Sequence, residues 1–335
     1  MKKVRHLPLI LLVLGTLISY ASIWVSPATF KLAGAIPFFI PVFLILNLVA
    51  FIAFIYKRSL KVLIPIGGLI LGYPFIMASF ATNSAGAGEG RSFSVMSYNV
   101  KGFVSAKATR SGEMFDHIRH IDADINCFQE FYNRASYIQK TRNRGKYSFV
   151  HDRRTSKLAI SSKFPIVKHG LLFPNQRYNN IMFADIVLGR GDTLRVYNAH
   201  LQSMGITHTN PEYYDDLVSE YDDAKAKFLK GAAIRANQIS VLLEHAVDCP
   251  YPILIAGDFN DVPYSYNYFR VRSRFSNAFE EAGSGFGFTY NGDLPFLRID
   301  NQFFNDDLQV HSFETIDSTD YSDHHPILGI YSISD

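Results

Sequence analysis

Tyr251-Pro-Ile-Leu-Ile-Ala-Gly-Asp-Phe-Asn-Asp261 contains a short, wholly apolar run, Ile253 to Ala256, that stops at Gly257 and delivers two acids and an amide. Such a run, bounded by turn residues, fits a strand buried on both faces. A glycine at its end lets the backbone turn, so Asp258, Asn260 and Asp261 emerge at a strand end. Asp258 and Asn260 stand two apart and share a side in extended geometry. A carboxylate beside an amide suits a phosphoryl group with a divalent cation. The acid binds the cation or orients water, and the amide contacts a phosphate oxygen. The competing reading is a polar turn that caps the next helix.

Working outward, four more stretches repeat this design. Ser94-Val-Met-Ser-Tyr-Asn-Val100 ends a strand in Asn99, and Ile125-Asn-Cys-Phe-Gln-Glu130 ends one in Gln129 and Glu130. Leu194-Arg-Val-Tyr-Asn-Ala-His-Leu201 places Asn198 and His200 two apart, and Tyr321-Ser-Asp-His-His-Pro326 puts Asp323, His324 and His325 before the last strand. Asp300 sits inside Leu297-Arg-Ile-Asp-Asn-Gln-Phe303, polar where the flanking pattern expects packing. Singly, each has a plain structural role: a turn residue, a helix-end charge, a satisfied buried histidine, a cap. Polar groups recurring at the ends of separate apolar strands cost desolvation unless they converge on something.

In this order the motifs resemble the endonuclease/exonuclease/phosphatase superfamily, which includes deoxyribonuclease I-like and exonuclease III-like nucleases, neutral sphingomyelinases and inositol polyphosphate phosphatases. The resemblance covers about residues 92 to 333 and rests on Gly257-Asp-Phe-Asn260, Ser322-Asp-His-His-Pro326 and Gln129-Glu130. It implies an α/β (α+β) four-layer sandwich, two mixed β-sheets flanked by helices. It implies that Glu130 binds Mg²⁺ (or Mn²⁺), with Asn99 and Asp323 beside the metal. Asp258 and Asn260 would orient the attacking water and the phosphate, and His324, supported by Asp300, would stand next to the nucleophile or phosphate. His200 would donate to a non-bridging phosphate oxygen. Members differ on whether the residue at the Asp258 or the His324 position takes the water's proton. Asn301 departs from the aromatic residue that relatives often carry after the aspartate, which bears on substrate contacts more than on catalysis.

The bottom-up reading of the remaining chain agrees with one large α/β domain. Strands are expected at 92–100, 125–129, 158–161, 181–188, 193–201, 253–256, 299–304 and 326–332, mixing hairpin and helix spacings. Helices are expected at 114–121 and 232–247. Between Met204 and Gly231 an acidic-then-basic insert with interleaved tyrosines reads as a solvated helical pair, or as a lid beside the His200 segment. The run Gly285-Phe-Gly-Phe-Thr-Tyr-Asn-Gly292 is a turn-rich loop or a source of stacking groups. His208, His311 and His325 read as structural. Cys127, in an apolar strand, reads as an inert core thiol, and its spacing from Cys249 suits neither a metal nor a redox pair.

The first 80 residues differ in kind. They hold no Asp or Glu and seven Lys or Arg; the 33 basic residues less those seven leave 26 against 30 acidic ones in the remainder, a formal −4. A domain of that charge lacks the basic footprint of a general nucleic-acid binder. Leu7–Val25, Ala35–Tyr56 and Val62–Phe80 are each close to the ~20 apolar residues a membrane helix needs. Three transmembrane helices in residues 1–81 are expected, with Asn47 as an interhelical hydrogen-bond partner. The basic amino terminus and the loop Lys57–Lys61 belong in the cytoplasm by the positive-inside rule, so the chain leaves the third helix outside. A flexible linker, 82–91, would lead to a catalytic domain, 92–335, in an integral protein of a bacterial-type inner or cell membrane. The leading reading is therefore a membrane-anchored, extracytoplasmic, Mg²⁺-dependent phosphodiesterase. Its partner is a phosphate-ester substrate: a lipid head group, a small phosphodiester or nucleic acid. An extracellular nuclease and a catalytically inactive tethered binding module are the rivals. A transporter is disfavoured because the helices hold no intramembrane acid or base.

Overall fold

The apolar runs that end in polar residues become the interior strands of two facing sheets. The computed structural model describes residues 6–83, 86, 92–103, 111–132, 148–151, 157–176, 178–189, 191–205, 214–292 and 296–334. Its elements begin with helices α1 (Leu7–Ala21), α2 (Ile40–Tyr56), α3 (Leu63–Leu71) and α4 (Tyr73–Ser79). Then come β1 (Ala81–Thr82), β2 (Phe93–Asn99), α5 (Ser111–Ile121), β3 (Ile125–Gln129), β4 (Ser148–His151), β5 (Ala159–Ser162), β6 (Ile166–Leu171), β7 (Ile181–Val187) and β8 (Thr193–His200). The chain continues through α6 (Tyr214–Val247), β9 (Ile253–Asp258), α7 (Tyr266–Arg272), β10 (Ser276–Asn277), α8 (Ala278–Ala282) and β11 (Ser284–Gly285). It ends in β12 (Asp300–Phe304), β13 (Leu308–Thr315) and β14 (Ile327–Ile333).

One sheet has the order β10-β12-β9-β8-β7-β6 and the other β13-β14-β2-β3-β5-β4. Among the described residues, only β8–β9 and β2–β3 run parallel within them. The inner faces meet in a core where Val95, Ile125 and Cys127 of one sheet pack with Ala184, Val196 and Leu254 of the other. Outside, α5 covers one sheet through Met114, Phe115 and Ile118, and α6 covers the other through Ile239, Leu242 and Leu243. The result is the helix–sheet–sheet–helix sandwich expected from the sequence. Buried amides bind the sheets to each other. Gln129 Nε2 donates to Asn198 Oδ1 at 2.7 Å, Asn198 Nδ2 donates to the Phe128 and Ala159 carbonyls, and Gln302 Nε2 donates to the Val95 carbonyl. In a low-dielectric core each such bond is strengthened and each loss is costly.

Several expectations are corrected. The strand at Ile253 runs on through Gly257 to Asp258. Gly257 is needed for a close approach rather than to end the strand: with φ +147° its Cβ would fall 1.9 Å from the Ala199 carbonyl oxygen. Residues 214–247 form one helix, not an insert followed by a separate helix at 232. Gly231 sits mid-helix because a Cβ there would lie 2.8 Å from the Ser203 carbonyl oxygen. Residues 206–213, where part of the lid reading falls, and His208 with them, lie outside the described residues, as does most of the expected linker.

Leu7–Trp24 and Ile36–Tyr56 are long and apolar enough to cross a membrane, with mean hydropathy 2.0 and 2.8. The expected third span is a pair of helices, Leu60–Leu71 and Tyr73–Ser79, bent by 47°. Gly72 and Pro74 explain the break, since proline cannot supply the backbone donor a continuous helix needs. Asn47 Nδ2 donates to Thr16 Oγ1 at 2.8 Å, the interhelical bond expected of it. These helices rest directly on the sandwich: Phe75 packs edge-on to Phe269, Phe38 to Phe228, and β1 pairs with β11.

A buried ion pair pins β7 to β8, with Arg195 Nε and Nη2 donating to the two Asp185 oxygens at 2.6 and 2.7 Å. Replacing Asp185 by alanine strands the buried guanidinium, which costs about 3–5 kcal/mol. Differential scanning fluorimetry of Asp185→Ala is therefore expected to show a Tm lower by on the order of 10 °C.

Candidate active site

The topology brings the polar strand ends to one edge of the sandwich. β8 and β9 are parallel, so His200 and Asp258 lie opposite each other at their carboxyl ends. β12 is antiparallel to β9 and starts at that edge, with Asp300 opposite Asp258. In the other sheet parallel β2 and β3 end side by side at Asn99 and Gln129, followed by Glu130. Antiparallel β14 begins at the same end, just after Asp323 and His324. A cavity of about 310 Å³ opens there. Asn99, Glu130, His200, Asp258, Asn260, Asp323 and His324 line it. Asp300 sits fully buried behind His324.

Asp258 is the hub. Its Oδ2 accepts from Asn99 Nδ2 at 3.0 Å and from Asn260 Nδ2 at 3.3 Å, and its Oδ1 accepts from the Asn260 backbone N–H at 2.8 Å. His200 Nε2 and His324 Nε2 each stand 3.7 Å from Oδ2. Glu130 Oε1 lies 3.9 Å from the same His200 Nε2, so Glu130 is at most 7.6 Å from Asp258, the sum of the two legs. Asp323 Oδ2 accepts from Lys101 Nζ at 2.7 Å. Asp261 is turned away, accepting from Asn267 Nδ2 and Arg235 Nε. His325 and His311 bond to Thr319 and Ser332, as structural residues would.

The two histidines are driven in opposite directions. Burial lowers the pKa of His200 and is only partly offset by Asp258. Burial also opposes charge on His324. There, however, Asp300, Asp258 and the 2.8 Å hydrogen bond between Nδ1 and Asp300 Oδ2 prevail, and its pKa is pushed up to about 10. Burial, aided by Asp300, raises the Asp258 carboxyl against the pull of both histidines. At neutral pH the hub thus has one neutral and one cationic imidazole, a separation typical of acid–base sites. Burial pushes the Cys127 thiol up, which keeps it an inert core thiol.

Asp258, Asp300 and His324 offer ligand atoms within 4.8 Å of one another, a tight cluster that could hold a metal. An imidazolium has no lone pair to give and repels a cation, so this trio is a poor direct cage while His324 is charged. Glu130, Asn99 and Asp323, which line the cavity, supply oxygen donors, the chemistry suited to a hard divalent ion. Glu130 and Asn260 hold left-handed backbone conformations, φ +52° and +50°, as does Lys101 at +42°. Such strain, of order 1–3 kcal/mol each, concentrates at functional sites.

Sequence reasoning missed several members. Asn179 donates from Nδ2 to the Leu201 carbonyl and lies 3.3 Å from His200 Nε2. Lys101 pairs with Asp323 and Lys157 lines the cavity; Tyr290, from the run read as a loop or a source of stacking groups, lines it too and packs edge-on to His324 at 5.1 Å. A signal existed for Asn179. It precedes β7, and an antiparallel strand begins at the edge where β8 ends.

Two mixed sheets with carboxylates, amides and histidines converging at one edge define a phosphoester hydrolase. A family model described as the endonuclease/exonuclease/phosphatase family matches residues 96–324, and the chain belongs to that family. It is thus a metal-dependent phosphoric ester hydrolase by class. A second model, described as a domain of unknown function (DUF8431), matches residues 3–79. No curated protein matches the chain significantly. Among solved structures, an endonuclease/exonuclease/phosphatase from Bacteroides vulgatus aligns with a TM-score of 0.55 at 15% identity, covering 73% of this chain and 100% of that one. D. rerio TDP2 complexed with single-strand DNA product gives 0.52 at 17%, covering 72% and 100%. The human Nocturnin catalytic domain with bound sulfate anion gives 0.53 at 16%, covering 72% and 95%. At these identities the likeness establishes the fold alone.

The folded-state pKa of His324 exceeds the ordinary 6.5, so its contribution to stability is complete below about 6.5 and is lost as pH climbs through about 10. In the metal-free protein, NMR of labelled histidine is expected to show this imidazole protonated at neutral pH. Asp300→Asn removes the largest force raising it, and the midpoint should fall well below that of the wild type. An unchanged midpoint would contradict the assigned cause.

Proposed function

We propose that this chain is a membrane-anchored, extracytoplasmic, Mg²⁺-dependent phosphodiesterase. The observation that carries it is the Asp258 hub, a carboxylate raised by burial, within reach of a cationic imidazole and less than 8 Å from Glu130. Glu130, with Asn99 and Asp323 beside it, would hold the ion, which supplies charge neutralisation to the phosphoryl group. Asp258 takes the proton of the attacking water, its elevated pKa suiting a general base. The Asn260 amide orients water or phosphate. His324, kept cationic by Asp300, donates from Nε2 to the developing charge, and neutral His200 donates to a non-bridging oxygen. Water oxygen bonds to phosphorus, one P–O ester bond breaks, and the leaving alkoxide takes up a proton, giving a phosphomonoester and an alcohol.

The domain's formal −4 weighs against a general nuclease, although D. rerio TDP2, solved with single-strand DNA product, shares the fold. The residue pattern supports anchoring through residues 7–80, with Lys57, Arg58 and Lys61 on the cytoplasmic side.

Purified full-length protein is expected to hydrolyse bis(p-nitrophenyl) phosphate with Mg²⁺ and to stop in EDTA. Asp258→Asn should lower kcat roughly a hundred- to ten-thousand-fold, the usual contribution of a general base. Full activity in either case would refute the mechanism. For topology, alkaline phosphatase fused after residue 335 should be active in a bacterial host, while a green fluorescent protein at the same point stays dark. The reverse pattern would place the domain in the cytoplasm.

A further inference from the structure

A second cavity, apolar and of about 370 Å³, lies where the helices meet the sandwich. Its volume is within the ~300–1,000 Å³ range of small-molecule sites. Ile45 of α2 and Ile76 of α4 form one wall, and Phe286 and Phe288 belong to the other. Leu297 lines this cavity and the catalytic one alike. The segment carrying Phe286 and Phe288 continues directly to Tyr290, which bridges to Leu297 and to His324. The two cavities are therefore adjacent, with Leu297 between them. Phe286 and Phe288 stack at 5.2 Å while Phe286 remains 54% exposed, an aromatic patch a water-facing surface rarely keeps. Arg298, 2% exposed, also lines the cavity. Its guanidinium donates to the Ala78 carbonyl, Asn301 Oδ1 and the Tyr268 hydroxyl, and its buried Nε has no acceptor among the described residues.

We infer that this junction cavity holds an acyl chain of a membrane lipid whose head-group phosphodiester occupies the catalytic cavity. The inference rests on the phosphodiesterase reading and names its substrate class. An occupant of both cavities must be charged at one end and apolar at the other. One wall is built from helices suited to a bilayer, which puts lipid chains at the entrance. A nucleic acid would leave the apolar cavity unused.

The test uses full-length protein in lipid nanodiscs with Mg²⁺ and two soluble diesters, methyl and hexyl p-nitrophenyl phosphate. Wild type should prefer the hexyl ester by at least about tenfold in kcat/KM, since each fully buried methylene is worth roughly fourfold. Partitioning of the hexyl ester into the nanodisc is common to all variants, so the readout is the change in that preference. Phe288→Ser, and independently Phe286→Ser, should reduce it at least about fivefold while methyl-ester turnover stays within about twofold. An unchanged preference with methyl turnover intact overturns the acyl site and leaves the phosphodiesterase standing. Inertness of wild type on both esters overturns the phosphodiesterase reading and this inference with it. Single-stranded DNA cleaved faster than the phospholipid of the nanodisc also overturns the lipid assignment.

Discussion

The pairing of β9 with its two neighbours is the constraint on which the site depends. Asp258 faces His200 across a parallel ladder and Asp300 across an antiparallel one, so three site residues occupy one row of backbone register. Slipping either ladder by one residue would turn that side chain to the opposite face. Gly257 enforces the fit. Only a residue without Cβ lets β9 approach the Ala199 carbonyl that closely and still carry Asp258 to the edge. The chain then turns at Asn260, whose backbone N–H and side chain both return to the Asp258 carboxylate. The second sheet is brought to the same point by buried amides. Gln129 and Asn198 bond behind the cavity, and Asn99 reaches Asp258 across the gap.

Packing so many polar groups together has an electrostatic consequence. Asp258 and Asp300 are both essentially without solvent, and two buried anions side by side are costly. His324 resolves this by lying between them, charged, hydrogen-bonded to Asp300 and 3.7 Å from Asp258. His200, 3.7 Å from the same Asp258 oxygen and without such a carboxylate bond, is left to desolvation and stays neutral. Identical side chains acquire different states because the second carboxylate of His324, Asp300, is buried and hydrogen-bonded to its Nδ1, whereas that of His200, Glu130, stands unbonded at 3.9 Å. That difference separates a permanent donor from a hydrogen-bonding group whose charge can respond to what enters the cavity.

How far all this could be read from sequence follows from burial. The eight strands legible as apolar runs, β2, β3, β5, β7, β8, β9, β12 and β14, are the interior strands of the two sheets. A strand covered on both faces must be apolar throughout, and the polar residue that ends it stands out. The four edge strands, β4, β6, β10 and β13, were not legible. β6, Ile-Val-Lys-His-Gly-Leu, is half exposed, and β10 is two residues long, so neither has a period to detect. The same logic holds in the site. Glu130, His200 and Asp258 follow apolar strands and were legible, whereas Lys101 and Tyr290 sit in irregular segments. They reach the cavity only through contacts made by distant chain. Gly231 misled for a related reason: a glycine that punctuates a sequence is indistinguishable there from one that admits a neighbouring backbone.

The amino-terminal helices are more than a tether. Arg298 is buried beside Leu297, and its guanidinium is satisfied partly by the carbonyl of Ala78, near the end of α4. The same guanidinium donates at 2.5 Å to Asn301, which pairs with Gly257 and directly follows Asp300. One cation therefore joins the last turn of the amino-terminal apolar segment to the start of the strand that charges His324. A buried guanidinium deprived of acceptors is costly, so the sandwich reaches its lowest energy only with α4 docked against it. Pairing of β1 with β11 adds a backbone clamp at the same junction. An enzyme on a loose linker would sample every orientation to its amino-terminal helices. One held through Arg298 keeps its catalytic edge at a fixed position relative to those helices, as the proposed lipid substrate requires.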